Sequence, residues 1–367
     1  MNRYRVTGLM SGTSLDGVDI ACCYLQEESG HWEYAIVRAE TIPYSPEWKT
    51  LLQQLPQASA LDLAHAHAAY GHYLGKLVHD FLTQHNFETD LVASHGHTIF
   101  HQPQHGFTCQ IGDGAAIASV CQRPVIADFR SLDVALGGQG APLVPIGDQL
   151  LFSEYSSCLN IGGFANISFE NEGNRVAYDI CPANIILNWL SEKLGHLFDR
   201  DGLLAASGHV DESLLQQLNQ IEYYRLPPPK SLGREWVESS ILPLLTNTGI
   251  SVCDELRTAI EHIAVQLAKA IGTNPGQQVL ITGGGAFNTF LLQRLGAHTK
   301  TSLVVPEPLL VNFKEALVFA LLGVLRFRGE PNCLAAITGA RDNASGGAFF
   351  LPPEKENQKS SPAPLSK

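Results

Sequence analysis

The sequence predicts an α/β protein built as two domains with a cleft between them, and three observations carry that expectation. At 367 residues the chain is longer than a single core usually organises. Apolar runs of strand character alternate with stretches of helical period. The strand, glycine turn and strand plan of residues 5 to 20, "RVTGLMSGTSLDGVDI", returns in form at 158 to 170, "CLNIGGFANISFE".

Residues 4 to 10 and 18 to 25 read as two strands around the Gly/Ser/Thr turn, and "HWEYAIVRAETIPY" (31 to 44) as a third, forming an antiparallel meander. Between Leu61 and Phe81 the apolar positions Leu61, Ala64, Ala68, Leu74 and Leu77 follow a helical period. "LVASHG" and "PVIADF" read as short buried strands. The chain starts again after Pro142, with helices expected at about 184 to 195 and 254 to 272, a strand in "VLITGGGAFN" (279 to 288) and a last helix over 313 to 329. The expected division is 1–130 for the first domain, with a returning C-terminal helix completing it, 131–352 for the second, and a polar, proline-rich disordered tail over 353–367.

Composition narrows the function. The net charge of -12, with no cluster of Lys and Arg, argues against a nucleic-acid surface. No apolar run approaches membrane-spanning length by this reading, and "MNRYRVTG" lacks the apolar core of a signal peptide, so a cytoplasmic protein is expected. Eight cysteines without a C-x-x-C pair read as buried thiols.

The glycine turns carry the chemistry. The first lacks the Lys of a P-loop, yet glycines let backbone N–H groups converge on phosphate, and Ser11, Thr13 and Ser14 add hydroxyl donors. Asp16 would then orient Mg2+ through water. A plain hairpin turn explains the stretch taken alone. Recurrence at Gly162-Gly163 and Gly283-Gly284-Gly285 shifts the balance towards a grip on ATP by two domains. In "DICPANIILN" (179 to 188), Asp179 closes a strand, and Pro182 is expected in the first turn of the next helix. An N-cap is the ordinary role for such an Asp. The spacing of His97, His101 and His105 invites a zinc reading, but Gly96 and Pro103 interrupt any helix, and polar lining or structural roles fit them better.

"MSGTSLDGVD", "SHGHTIFHQP", "QIGDGAAIA", "VIADFRSLDVALGGQGAPLVP", "NIGGFANIS", "PPPKSLGREW" and "TGGGAFN" stand in the order of a known family. From residue 8 to about 320 the chain resembles the anhydro-N-acetylmuramic acid kinases. The resemblance implies two RNase-H-like domains of the sugar kinase, Hsc70 and actin superfamily, closing on Mg-ATP. It implies a homodimeric cytosolic enzyme of cell-wall recycling. Such an enzyme converts 1,6-anhydro-N-acetylmuramate, ATP and water into N-acetylmuramate 6-phosphate and ADP.

Carried over by the resemblance, Gly12, Thr13, Ser14, Leu15, Asp16, Gly17, Val18 and Asp19 form the first phosphate loop. Gly162 and Gly163 form the second, Gly283, Gly284, Gly285 and Asn288 lie near the nucleoside, and Asp179 is the catalytic base. Thr98, Arg130 and Glu315 face the sugar, Arg130 pairing with its lactyl carboxylate. One carboxylate suffices chemically: a base must activate water at C1, while the departing O6 is captured by the γ-phosphoryl group and needs no proton.

The chain departs from the family pattern after Asp179. The usual Asp-Thr-Gly-Pro-Gly-Asn is here Asp179-Ile180-Cys181-Pro182-Ala183-Asn184, and the Asp usual one turn later is Asn188. Losing two glycines is expected to place side chains beside the sugar. A plain sugar kinase that cuts no bond, and a nucleotide-binding protein without turnover, are the competing readings.

Overall fold

The computed structural model describes residues 2–12, 14–246 and 248–353, so Thr13 and nearly all of the expected tail lie outside the described residues. Two sheets organise the chain. In the first, β1 (Asn2–Ser11), β2 (Gly17–Glu28) and β3 (His31–Pro43) form the antiparallel meander. β4 (Leu91–Gln102) joins parallel to β1, and β6 (Val125–Ala127) parallel to β4. β5 (Phe107–Ile111) folds back antiparallel on the second half of β4. In the second sheet β7 (Ser157–Ile161), β8 (Phe164–Asn171) and β9 (Asn174–Pro182) are antiparallel, while β10 (Gln278–Thr282) and β11 (Ser302–Val304) add in parallel beside β7. Both sheets therefore follow one path, with the first strand central, the second and third on one side and two parallel strands on the other. This is the doubled RNase-H-like plan.

The two-residue period of the strands decides the layers. Ile20 and Cys22 face one core with Tyr70, Leu74 and Val78 of the helix Ala60–Gln84. Ala21 and Cys23 face another, with Ala316, Phe319 and Ala320 of the helix Pro308–Arg328. That helix starts with Pro308 and stops at the left-handed Gly329, the usual punctuation at either end. A third core fills the second half, where the Val252–Ile271 helix buries Leu256, Ile260, Ile263 and Leu267 on β7 and β8 residues such as Leu159 and Ile167.

Three sequence expectations change. Helix Pro308–Arg328 does have the length and apolar character to cross a membrane, contrary to the sequence reading, but most of it is buried against the first sheet as a core helix. The grouping of 131–352 breaks at its end: β12 (Ala348–Phe350) returns to pair antiparallel with β6, at the edge of the first sheet. Pro182 ends strand β9 opposite Phe164, and the following helix begins only at Asn184.

Candidate active site

The three glycine turns all follow the carboxyl ends of central strands: Gly12 after β1, Gly162 and Gly163 after β7, Gly283 to Gly285 after β10. This is where α/β sheets bind ligands. Two kinds of glycine stand there. A Cβ on Gly17 would lie 2.3 Å from the Ile42 carbonyl oxygen, and one on Gly285 2.2 Å from Ile161 Cγ2, so packing requires glycine at both. Gly163 has nothing within 4 Å of an added Cβ, and Gly12 and Gly284 meet only side-chain atoms at 3.7 and 3.6 Å. Packing asks for no glycine at these three; they keep open the space that a phosphate approaching the backbone needs.

Within the first loop, Ser14 and Asp16 are exposed, Leu15 adopts a left-handed φ of 59°, and Val18 is buried in the core. Asp19 accepts from Thr41 Oγ1 at 2.5 Å; partial burial and the nearby Asp16 raise its pKa against that bond. Ser11 departs from expectation: its hydroxyl is buried, 2.8 Å from His97 Nδ1 and 2.6 Å from Tyr44 Oη, so it braces the core rather than facing a phosphate. His97 is correspondingly structural, its pKa lowered by burial to about 4.

The second loop is tied to the helix Asn184–Glu192. The Gly163 carbonyl accepts from the amides of Ala183 and Ile185 at 2.8 and 3.2 Å, and that of Gly162 from Asn184 at 3.1 Å. Beside it lies a cavity of about 520 Å3, lined by Asn184, Asn188, Phe198, Asp201, Gly284 and Asn288 among others. Asn288 is also the N-cap of the next helix, its Oδ1 accepting from Leu291 N–H at 3.0 Å. The family's altered segment is legible here. Ile180, Cys181 and Ala183 are buried in the third core, so the side chains that replace glycine point away from the cleft, contrary to expectation. Asn188 lines the cavity with Asn184, Gly284 and Asn288 instead.

Asp179 is not an N-cap. It sits on β9 beside a bulge, since Asn166 pairs with Asp179 and Ala165 with Cys181, leaving Ile180 as the extra residue. The 227–233 loop grips it at two points and Tyr223, just before the loop, at a third. Its N–H donates to the Lys230 carbonyl at 3.1 Å, Oδ2 accepts from the Leu232 amide at 2.9 Å, and Tyr223 Oη donates to its carbonyl at 2.6 Å. Burial raises its carboxyl pKa, and the Leu232 bond opposes that rise. Sequence reasoning gives "PPPKSLGREW" no role of its own; the signal it offers is three consecutive prolines that stiffen the segment.

Across the cleft, Arg130 follows β6. Its Nε and Nη2 lie 3.0 and 2.9 Å from His95 Nε2, and Nη1 donates to the Gly140 carbonyl at 2.6 Å. His95 Nδ1 is 3.0 Å from the Gly96 carbonyl, so it carries the ring proton and Nε2 accepts. Burial, reinforced by Arg130, holds the His95 pKa well below its ordinary value. Burial also pulls Arg130 down to about 10, with Glu315 acting in the opposite direction. Glu315 is accessible to solvent yet enclosed by surrounding protein, as a side chain on the floor of an open cleft would be. Desolvation raises its pKa, Arg130 and Lys314 lower it, and Asp19 raises it, which puts Asp19, Arg130 and Glu315 in one electrostatic field. The adjacent Lys314 anchors this turn through Asp148 at 2.6 Å. Thr98 Oγ1 accepts from Gln110 Nε2 at 3.2 Å, and Gln110 also lines a cavity of about 460 Å3 with His67, Ser94, His95 and Asp128 among others.

Thr98, Arg130 and Glu315 thus belong to the first half, and Asp179, Gly162, Gly163 and Gly283 to Gly285 to the second. Among the described residues, no hydrogen bond or ion pair joins Asp179 to the first group. A family model described as anhydro-N-acetylmuramic acid kinase matches residues 4–352. The chain belongs to the anhydro-N-acetylmuramic acid kinase family. The anhydro-N-acetylmuramic acid kinase of Vibrio cholerae is 36% identical over 374 residues, covering 94% of this chain and 98% of that protein. That of Methylobacterium nodulans is 35% identical over 377 residues, covering 95% and 100%. Among solved structures, a ROK family glucokinase from Streptomyces griseus in complex with glucose and AMPPNP aligns with a TM-score of 0.39 at 9% identity, over 87% of this chain and 99% of that one.

Proposed function

We propose that this kinase hydrolyses the 1,6-anhydro bond of 1,6-anhydro-N-acetylmuramate while phosphorylating O6, giving N-acetylmuramate 6-phosphate and ADP. The observation that supports it most directly is the posture of Asp179: the loop fixes its backbone and Oδ2, and no described protein donor reaches Oδ1. A carboxylate so held, with a raised pKa, suits a general base.

The open glycines Gly12, Gly163 and Gly284 and the cavity that includes Gly284 and Asn288 fit a nucleoside triphosphate, with phosphate beside the first two and the nucleoside beside the third. Asp16, exposed on the first loop, would hold Mg2+ through water. Bound there, Mg-ATP supplies the phosphoryl group that ends on O6. The chain's own residues do the rest. Arg130 takes the lactyl carboxylate, and Thr98 and Glu315 take hydroxyl or amide groups of the sugar. Asp179 accepts a proton from water as its oxygen bonds to C1 and the C1–O6 bond breaks, and O6 forms its new bond to phosphorus as ADP leaves. Family membership supports a homodimer working in the cytoplasm.

The deciding experiment supplies purified protein with Mg-ATP, 1,6-anhydro-N-acetylmuramate and heavy-oxygen water, and reads ADP release and the product's mass. Label at C1 of a 6-phosphorylated sugar is the expected result. ADP without label would overturn the hydrolytic step in favour of a plain sugar kinase, and no ADP would overturn the activity.

A further inference from the structure

We infer that Asp133 is a positioning residue for substrate binding, holding Arg130 in its ligand-facing orientation through the Gly140 carbonyl. The premise is the proposed role of Arg130 as the clamp on the substrate carboxylate. Asp133 is completely buried in the segment "FRSLDVALGGQGAP", the most specific block of the sequence and one that the chemistry so far leaves unexplained. Every described partner of its carboxylate is a donor. Oδ1 accepts from Thr338 Oγ1 at 2.7 Å and from Cys333 Sγ at 3.1 Å, and Oδ2 from the Gly140 amide at 2.7 Å.

The glycines of the block are shaped around that carboxylate. A Cβ on Gly138 would lie 2.3 Å from Asp133 Oδ2, and Gly140 has a left-handed φ of 65° with Val134 Cγ2 2.7 Å from an added Cβ. The Gly140 N–H is held on Asp133, and the Gly140 carbonyl, in the next peptide unit, receives Arg130 Nη1 at 2.6 Å, so Asp133 anchors the turn that presents this carbonyl. His95 takes Nε and one N–H of Nη2. Of the five guanidinium N–H groups, one on each terminal nitrogen remains, the pair that an end-on carboxylate receives in parallel. Asp133 and His95 thus hold the guanidinium from two sides. An Asn at 133 would turn an NH2 group towards one of three donors and release either the loop or the C-terminal segment.

The test is steady-state kinetics on the full chain with Mg-ATP and the anhydro sugar acid. Asp133→Asn should raise the KM for the sugar by about tenfold, with kcat and the KM for ATP changing less than about twofold. Combined with Arg130→Ala it should add nothing to the effect of Arg130→Ala alone, because both act through one guanidinium. A merely structural Asp133 would instead lower kcat through lost folded protein, or multiply the Arg130→Ala effect, and either result overturns the inference. An unchanged KM in Arg130→Ala overturns the premise, which is a distinguishable failure. Should Asp133→Asn not fold, Gly140→Ala and Thr338→Val decide. The first disturbs the relay and should raise the sugar KM, while the second leaves the Oδ2 bond intact and should not; the reverse pattern sinks the relay.

Discussion

The Leu232 amide donates to Asp179 Oδ2 at 2.9 Å, and it is the only described protein donor that reaches this carboxylate. The bond fixes the direction of the second oxygen without neutralising the charge, as a general base requires. Asp179→Asn keeps the acceptor for Leu232 but cannot take a proton. Turnover should fall by at least about a hundredfold while the Kd for ATP changes less than about twofold, checked by kinetics and calorimetry. Burial raises the Asp179 pKa, so a base that must be ionised loses activity as pH falls through a value above that of an ordinary aspartate. The acid limb of the kcat profile should show it, and should be absent in the residual activity of the Asn variant. For stability the sign is the opposite: a folded pKa above the unfolded one stabilises at low pH, and that contribution is lost as pH rises through the folded value.

A substitution at Gly163 separates the proposed phosphate contact from folding. Nothing lies within 4 Å of an added Cβ and its φ is not in the left-handed region, so Gly163→Ala should leave the melting temperature within about two degrees of wild type or slightly above it. The methyl would occupy the approach to the backbone amides, and the KM for ATP should rise about tenfold or more. A variant with unaltered ATP kinetics would show that the second loop does not approach phosphate.

How far the site can be read from sequence depends on what each residue's role rests upon. The glycine turns at 12, 162 and 283 are local signals, since glycine between apolar strands carries its meaning in the chain itself. The meander and the core helices follow from periodicity in the same way. Facing is different. Ser11 reads as a phosphate donor until the register of β1 against β4 sets it beside His97, and Cys181 reads as pocket lining until the bulge at Ile180 turns it into the core. The long-range partners are least visible: Asp133 with Thr338 and Cys333, and β12 with β6, join positions some two hundred residues apart. Nothing in either segment alone signals the other.

The burial of Cys181 and Ala183 makes a prediction about the family's usual glycines. Restoring them with Cys181→Gly and Ala183→Gly removes buried atoms from the third core and adds backbone freedom, so the fold should lose about 1 to 4 kcal/mol. Because neither side chain reaches the cleft, the sugar KM should stay within about twofold of the parent. Urea unfolding and kinetics on the same samples check both halves. A large drop in sugar KM would mean that these side chains do crowd the substrate.

Glu261 holds two helices of the second half together and gives a stability test independent of catalysis. It takes Arg257 Nη1 at 2.6 Å, Arg294 Nε at 2.8 Å and Nη2 at 2.9 Å, and His298 Nε2 at 2.6 Å, joining Val252–Ile271 to Thr289–His298. Burial would raise its carboxyl pKa, but the bonds from Arg294, Arg257 and His298 outweigh burial and lower it to about 2. Its contribution is therefore present above the ordinary glutamate range and disappears as pH falls towards 2. Glu261→Gln leaves two arginines facing an amide and should cost about 2 kcal/mol at neutral pH. The gap between variant and wild type, read from urea unfolding at a series of pH values, should narrow on acidification. A gap that stays constant across the series would mean that packing, and not the carboxylate charge, joins the two helices.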